Sequence, residues 1–109
     1  MNLRINVILF IVFLSLVFTV QVQAKQIYVK YRGPIDTDNG HFIAYQLKPS
    51  SLVHEIFYDR PNNYLLVNLK GTYYHYCSMP KVVVDDWVSS PSLGKFYLAN
   101  IKGNYDCRI

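Results

Sequence analysis

Between Leu52 and Cys77 the chain alternates in character with a period of two, and at Pro80 that period gives way to a helical one. Leu52 to Tyr58 reads as a first strand, and Asp59-Arg60-Pro61-Asn62-Asn63 as a turn cluster. Tyr64 to Leu69 is the second strand, with Leu65, Val67 and Leu69 on one face and Tyr64, Leu66 and Asn68 on the other. Lys70-Gly71 makes a tight connection to a third strand, Thr72 to Cys77, whose faces carry Tyr74 and Tyr76 on one side and Tyr73, His75 and Cys77 on the other. Beyond it, Ser78 or Pro80 can open a helix, because Pro is tolerated in a first turn. Val84, Trp87 and Val88 fall at i, i+3 and i+4 and mark its buried stripe. Three consecutive valines lower its intrinsic propensity, so packing must supply the stability.

The fold class that follows is α+β. A small antiparallel sheet, built on this three-stranded meander, carries the main helix Val82–Ser89 and a short second helix on one face. Trp87 is expected to lie against the face of Leu65, Val67 and Leu69. Ser92 can N-cap the second helix, which runs to about Asn100 with Phe96 inward and Lys95 and Lys102 outward. Gly103 ends it, and Tyr105 to Arg108 can return as an edge strand.

Ahead of the module, Ile27, Val29 and Tyr31 alternate with Gln26, Tyr28 and Lys30 as a strand that Gly33-Pro34 ends. Asp36 to Gly40 is turn material, His41 to Leu47 allows a second short strand, and Pro49-Ser50-Ser51 separates the two parts. The extension should therefore add one or two strands. The chain divides into a leader over 1–24, an extension over 25–51 and a module over 52–109.

The leader is an address. Arg4 gives a positive start, Val7 to Val20 is apolar except for Ser15 and Thr19, and Val22-Gln23-Ala24 presents a signal-peptidase site with cleavage expected after Ala24. An uncleaved anchor is the alternative, but the run is short for a span of about 20 residues, and no Cys follows it for a lipid anchor. The expected protein is thus exported to the periplasm or medium, without stable membrane insertion after cleavage. With Arg4 gone from the 11 basic residues, 10 stand against 7 acids, a net charge of about +3. That permits attraction to anionic polymers or surfaces without demonstrating it. Cys77 and Cys107, an even count in a small exported domain, read as a disulfide that closes a loop of 30 residues.

Tyr74-His75-Tyr76, the stretch Ser92-Leu93-Gly94-Lys95-Phe96-Tyr97 and the close Asn100-Ile101-Lys102-Gly103-Asn104-Tyr105 occur in the order of a known pattern. They resemble the KTSC domain, a small module named after the C-terminal extension of some lysyl-tRNA synthetases. The resemblance runs from Leu52 to Arg108, about two thirds of the mature chain, and brings no defined biochemical activity with it.

The candidate binding surface is Tyr74, Tyr76, Lys95, Asn100, Lys102 and Tyr105. Tyrosine joins an apolar body to a polar tip, which suits a recognition surface as well as a thin core. The bland reading puts Tyr74 and Tyr76 under the helix and leaves the lysines solvated. The sharper one sets the tyrosines at a pocket rim, with Lys95 and Lys102 near the amides of Ser92 to Gly94 as an anion site. Fusion to a tRNA ligase suggests nucleic acid, with tyrosines stacking bases and lysines meeting phosphates. Export and a modest charge oppose it. His75 and Cys77 share a strand face, but a disulfide would consume the thiol. Asp36-Thr37-Asp38-Asn39-Gly40 departs from a calcium loop, with its glycine one position early and Leu47 in place of the bidentate Glu. His41, His54 and His75 lack zinc spacing. No cofactor is called for. The leading expectation is a non-enzymatic binding module of the bacterial envelope with an unknown protein or ligand as partner. A nucleic-acid-binding module ranks second and an enzyme third.

Overall fold

The computed structural model describes residues 25–108, so the leader expected over 1–24 lies outside the described residues. The meander forms as its periodicity requires. Strands β4 (Val53–Asp59), β5 (Tyr64–Leu69) and β6 (Thr72–Tyr76) pair antiparallel, Leu65 against Tyr76 and Val67 against Tyr74. Lys70 and Gly71 both take positive φ, 51° and 97°, the pair a two-residue hairpin of matching twist needs. The Asn68 side-chain oxygen accepts from the Gly71 amide at 2.7 Å and fixes that turn. At the other end a single 3-10 turn, Arg60–Asn62, absorbs the Pro, and Asn63 closes it at φ 50°.

Helix α1 spans Lys81–Ser89 and a short α2 spans Leu93–Phe96, continued by a wide helical turn, Tyr97–Ile101. As expected, Ser92 caps α2, its hydroxyl accepting from the Lys95 amide at 3.3 Å. The helices close over Ile56, Tyr58, Leu65 and Val67, with Val84, Trp87, Leu93 and Ile101 driven fully into the core. Phe96 stacks on Trp87 with centroids 6.4 Å apart, and Lys95 and Lys102 point out. Gly94 faces Leu52, and a Cβ there would meet Leu52 at 3.5 Å, an ordinary contact. The glycine is therefore not required for helix-to-sheet approach.

The extension departs from expectation. It adds three strands rather than one or two, β1 (Gln26–Val29), β2 (Gly33–Asp36) and β3 (Ile43–Ala44), making one curled six-stranded sheet of order β2-β1-β6-β5-β4-β3. Strand β1 (Gln26–Val29) runs parallel to β6 through Val29 and Tyr73, and β3 (Ile43–Ala44) borders β4. Gly33-Pro34 does not end strand structure but begins β2 (Gly33–Asp36). Pro34 is accommodated because β2 is the sheet's edge, where a missing N–H breaks no ladder. Tyr31, expected inside the first strand, turns out of it at φ 69°. The sheet is not a one-faced support either. Ile27, Val29, Phe57 and Leu66 form a second core on its other face, joined by Phe42 and Tyr73. The curl brings Lys25 to within 3.7 Å of Glu55 and sets its ammonium 4.9 Å from the Phe57 ring centroid. Tyr105 to Arg108 returns beside β6 as a single bridge, Tyr76 to Asp106, rather than a strand. Cys77 and Cys107 are bonded, with Cα atoms 4.8 Å apart.

Candidate functional site: a trough along β6

The outer edge of β6 is shared by two partners. Alternation turns the backbone groups of Tyr73, His75 and Cys77 toward it. Lys30 donates its amide to the Tyr73 carbonyl at 2.9 Å, and the Cys77 amide donates to the Tyr105 carbonyl at 2.8 Å. Between those contacts β1 peels away at Tyr31 before the tail arrives. The gap is an open cavity of about 350 Å³ walled by Lys30, Tyr31, Tyr74, His75, Asp106 and Cys107. A second cavity of about 710 Å³ opens between the β5–β6 turn and the wide turn after α2, walled by Leu69, Lys70, Leu98 and Lys102. Tyr74, Tyr76 and Asp106 belong to both, so the two adjoin as halves of one trough.

Its floor is fixed by a buried pair. The Tyr76 and Tyr97 hydroxyls are 2.6 Å apart, with rings edge to face. Burial, and then the hydrogen bond to Tyr97, push the Tyr76 phenol far above its ordinary range. Behind the trough, on the second face, the Tyr64 hydroxyl lies 2.9 Å from His75 Nδ1. Burial, and then the nearby Arg32 charge, hold the His75 pKa below its ordinary value and favour the neutral imidazole beside the Tyr64 hydroxyl.

A pH dependence follows. The folded state resists protonating His75, whose unfolded value is 6.5. Stability is therefore full above pH 6.5 and falls as pH drops below it. Tyr58, Tyr64, Tyr73 and Tyr76 are all raised above 10.0, first by burial. Stability thus falls again as pH rises past about 10, where the unfolded chain ionises first. Urea titrations from pH 4 to 11 should trace this plateau with two falling arms. A His75→Phe chain that keeps an unchanged acid arm would remove His75 as its source.

Of the sequence candidates, Tyr74, Tyr76 and Lys102 meet in the trough. Tyr76 packs as the bland reading has it, while Tyr74 stays half-buried at the rim. Tyr105 packs partly buried against the main core, and its carbonyl accepts from the Cys77 amide. Lys95 and Asn100 stand exposed, outside the walls of both cavities, and the Asn100 amide donates to the Phe96 carbonyl at 3.3 Å. Of the two lysines of the expected anion site, Lys102 lines the larger cavity and Lys95 does not. Lys30, Tyr31, Lys70 and Asp106 were not legible as wall residues, because a parallel pairing across more than 40 residues leaves no local signal. In the Asp36–Gly40 loop the Asp36 carboxylate accepts from the Asp38 amide and the Asn39 side chain from the His41 amide, as turn residues do.

The sequence profile of the KTSC domain matches residues 49–105. The chain belongs to the KTSC domain family. A crystal structure of a KTSC domain protein from Yersinia pestis superposes with a TM-score of 0.55 at 29% identity, covering 61% of this chain and 96% of that one. No curated protein matches the chain. Lys25 to Lys48, and with them Lys30 and Tyr31, lie outside the matched residues. The smaller cavity therefore lies at the seam between the KTSC domain and the strands that precede it, while the larger one is walled almost wholly by residues of the domain.

Proposed function

We propose that this KTSC domain protein is an exported, non-enzymatic binding module that acts in the bacterial envelope. The observation that carries the binding reading is the trough: a long open concavity on a rigid sheet edge, walled by tyrosine and lysine. The Cys77–Cys107 disulfide supports export, because such bonds persist in oxidising compartments. Among the described residues no helix is long and apolar enough to cross a membrane. The test is sedimentation with isolated envelopes after expression of the full chain. Saturable binding that Tyr74→Ala weakens is expected. Equal retention of both proteins in the supernatant overturns the reading.

The start of the fold supports cleavage after Ala24. The Lys25 nitrogen donates to an Asp38 carboxylate oxygen at 2.8 Å, and its carbonyl accepts from the Thr37 amide at 2.9 Å. Cleavage there turns a neutral amide into an ammonium facing that carboxylate, a gain of about 0.2–1 kcal/mol for an exposed pair. Mass spectrometry of the exported protein should give Lys25 as its first residue, and Asp38→Asn should lower its stability by no more than that. An intact leader in the membrane fraction would refute export as a free protein.

A further inference from the structure

The ligand class can be narrowed from the chemistry of the trough, on the reading that it is a binding site. Its charges are sparse and unequal. Lys30 stands at one end, Lys70 and Lys102 at the other, and Asp106 is common to both halves. One cation sits over both rings of this end. Tyr31 is 80% exposed, Tyr74 is half-buried beside it, and the Lys30 ammonium lies 5.3 and 5.7 Å from their ring centroids. A ring face is electron-rich and attracts polarised C–H groups as well as cations. A strand of nucleic acid offers flat bases to those rings, but it also brings one phosphate per residue. Asp106 would repel that charge, and three lysines spread over two cavities neutralise little of it.

A sugar polymer fits the same walls better. Pyranose C–H faces suit Tyr31 and Tyr74. Sugar hydroxyls can donate to the Asp106 carboxylate and meet the lysines as acceptors. Occasional carboxylates along such a polymer would pair with Lys30 at one end and with Lys70 or Lys102 at the other. We infer that the trough binds an acidic polysaccharide, a chain of sugar rings with intermittent carboxylates, laid across Tyr74.

Hyaluronan, in which every second ring carries a carboxylate, neutral dextran and an oligothymidylate serve as probes in affinity electrophoresis or calorimetry with the exported protein. Hyaluronan should bind best, more weakly as salt rises, and dextran should bind weakly or not at all. Tyr74→Ala and Tyr31→Ala should each weaken binding about tenfold, the scale of one lost ring contact. Tyr28→Ala, on an exposed ring outside the trough walls, should leave it unchanged. Asp106→Asn should change hyaluronan binding less than it strengthens oligothymidylate binding. Circular dichroism of each variant separates lost contacts from lost folding. Tighter binding of oligothymidylate than of hyaluronan overturns the inference in favour of nucleic acid. Failure of all three probes while envelope sedimentation persists overturns the ligand class and leaves the binding module standing. Failure of both sets of measurements overturns the two together.

Discussion

Replacing Trp87 with Ala should lower the unfolding free energy by about 3–5 kcal/mol, a large part of what a domain of this size holds in reserve. The side chain is wholly buried. Its indole stacks on Phe96, leans on Tyr97 at 5.9 Å between centroids, and donates its N–H to the Leu93 carbonyl at 3.0 Å. Truncation therefore opens a cavity between helix and sheet and strands a buried carbonyl as well. The damage should reach the trough. Tyr97, part of its helical wall, belongs to the same layer. Urea denaturation followed by far-UV circular dichroism measures the loss. Trp87→Phe should separate the causes, keeping much of the volume and giving up the hydrogen bond, at a cost of about 1–3 kcal/mol. An Ala variant as stable as the parent would show that the helix layer is not the core.

Why Trp87 was legible, and the wall of the trough was not, comes down to the range of the interactions. The α1 stripe of Val84 and Trp87 and the alternation along β5 are local periodicities, and each dictates which side faces inward. Strand β2 was misread because Gly33-Pro34 looks like a stop. Its edge position, which makes Pro34 harmless, is a property of the assembled sheet. The second core left a trace that was open to reading. Leu66 and Phe57 are apolar residues on the face opposite Leu65 and Val67, and a sheet with one wet face would not carry them. Tyr74 and Lys102 could be picked out from the family pattern. Lys30, Tyr31 and Asp106 become wall residues only once β1 lies parallel to β6 and the tail is pinned beside it. In the same way, the sequence pairs Lys95 with Lys102, but only Lys102 lines the larger cavity.

Removing the disulfide, by replacing Cys77 and Cys107 together with Ser, should cost roughly 3–4 kcal/mol, the second largest loss expected here. The bond closes a loop of 30 residues, so cutting it restores much freedom to the unfolded chain. The folded state changes as well. The tail after Tyr105 holds to β6 through one bridge and the Cys77 amide bond, too little to order a terminus on its own. Once released, it takes Asp106 and Cys107 out of the trough and leaves the edge of β6 open beyond Lys30. Hydrogen exchange distinguishes this from general loosening. The Cys77 amide should lose protection in the Ser variant, while the Lys30 amide, bonded to Tyr73, should keep its protection in proportion to global stability. The urea m-value should rise, because an uncrosslinked unfolded chain exposes more surface. Equal loss of protection at both amides would show that the tail and β1 form one cooperative unit, and that the gap between them is not an independent feature of the edge.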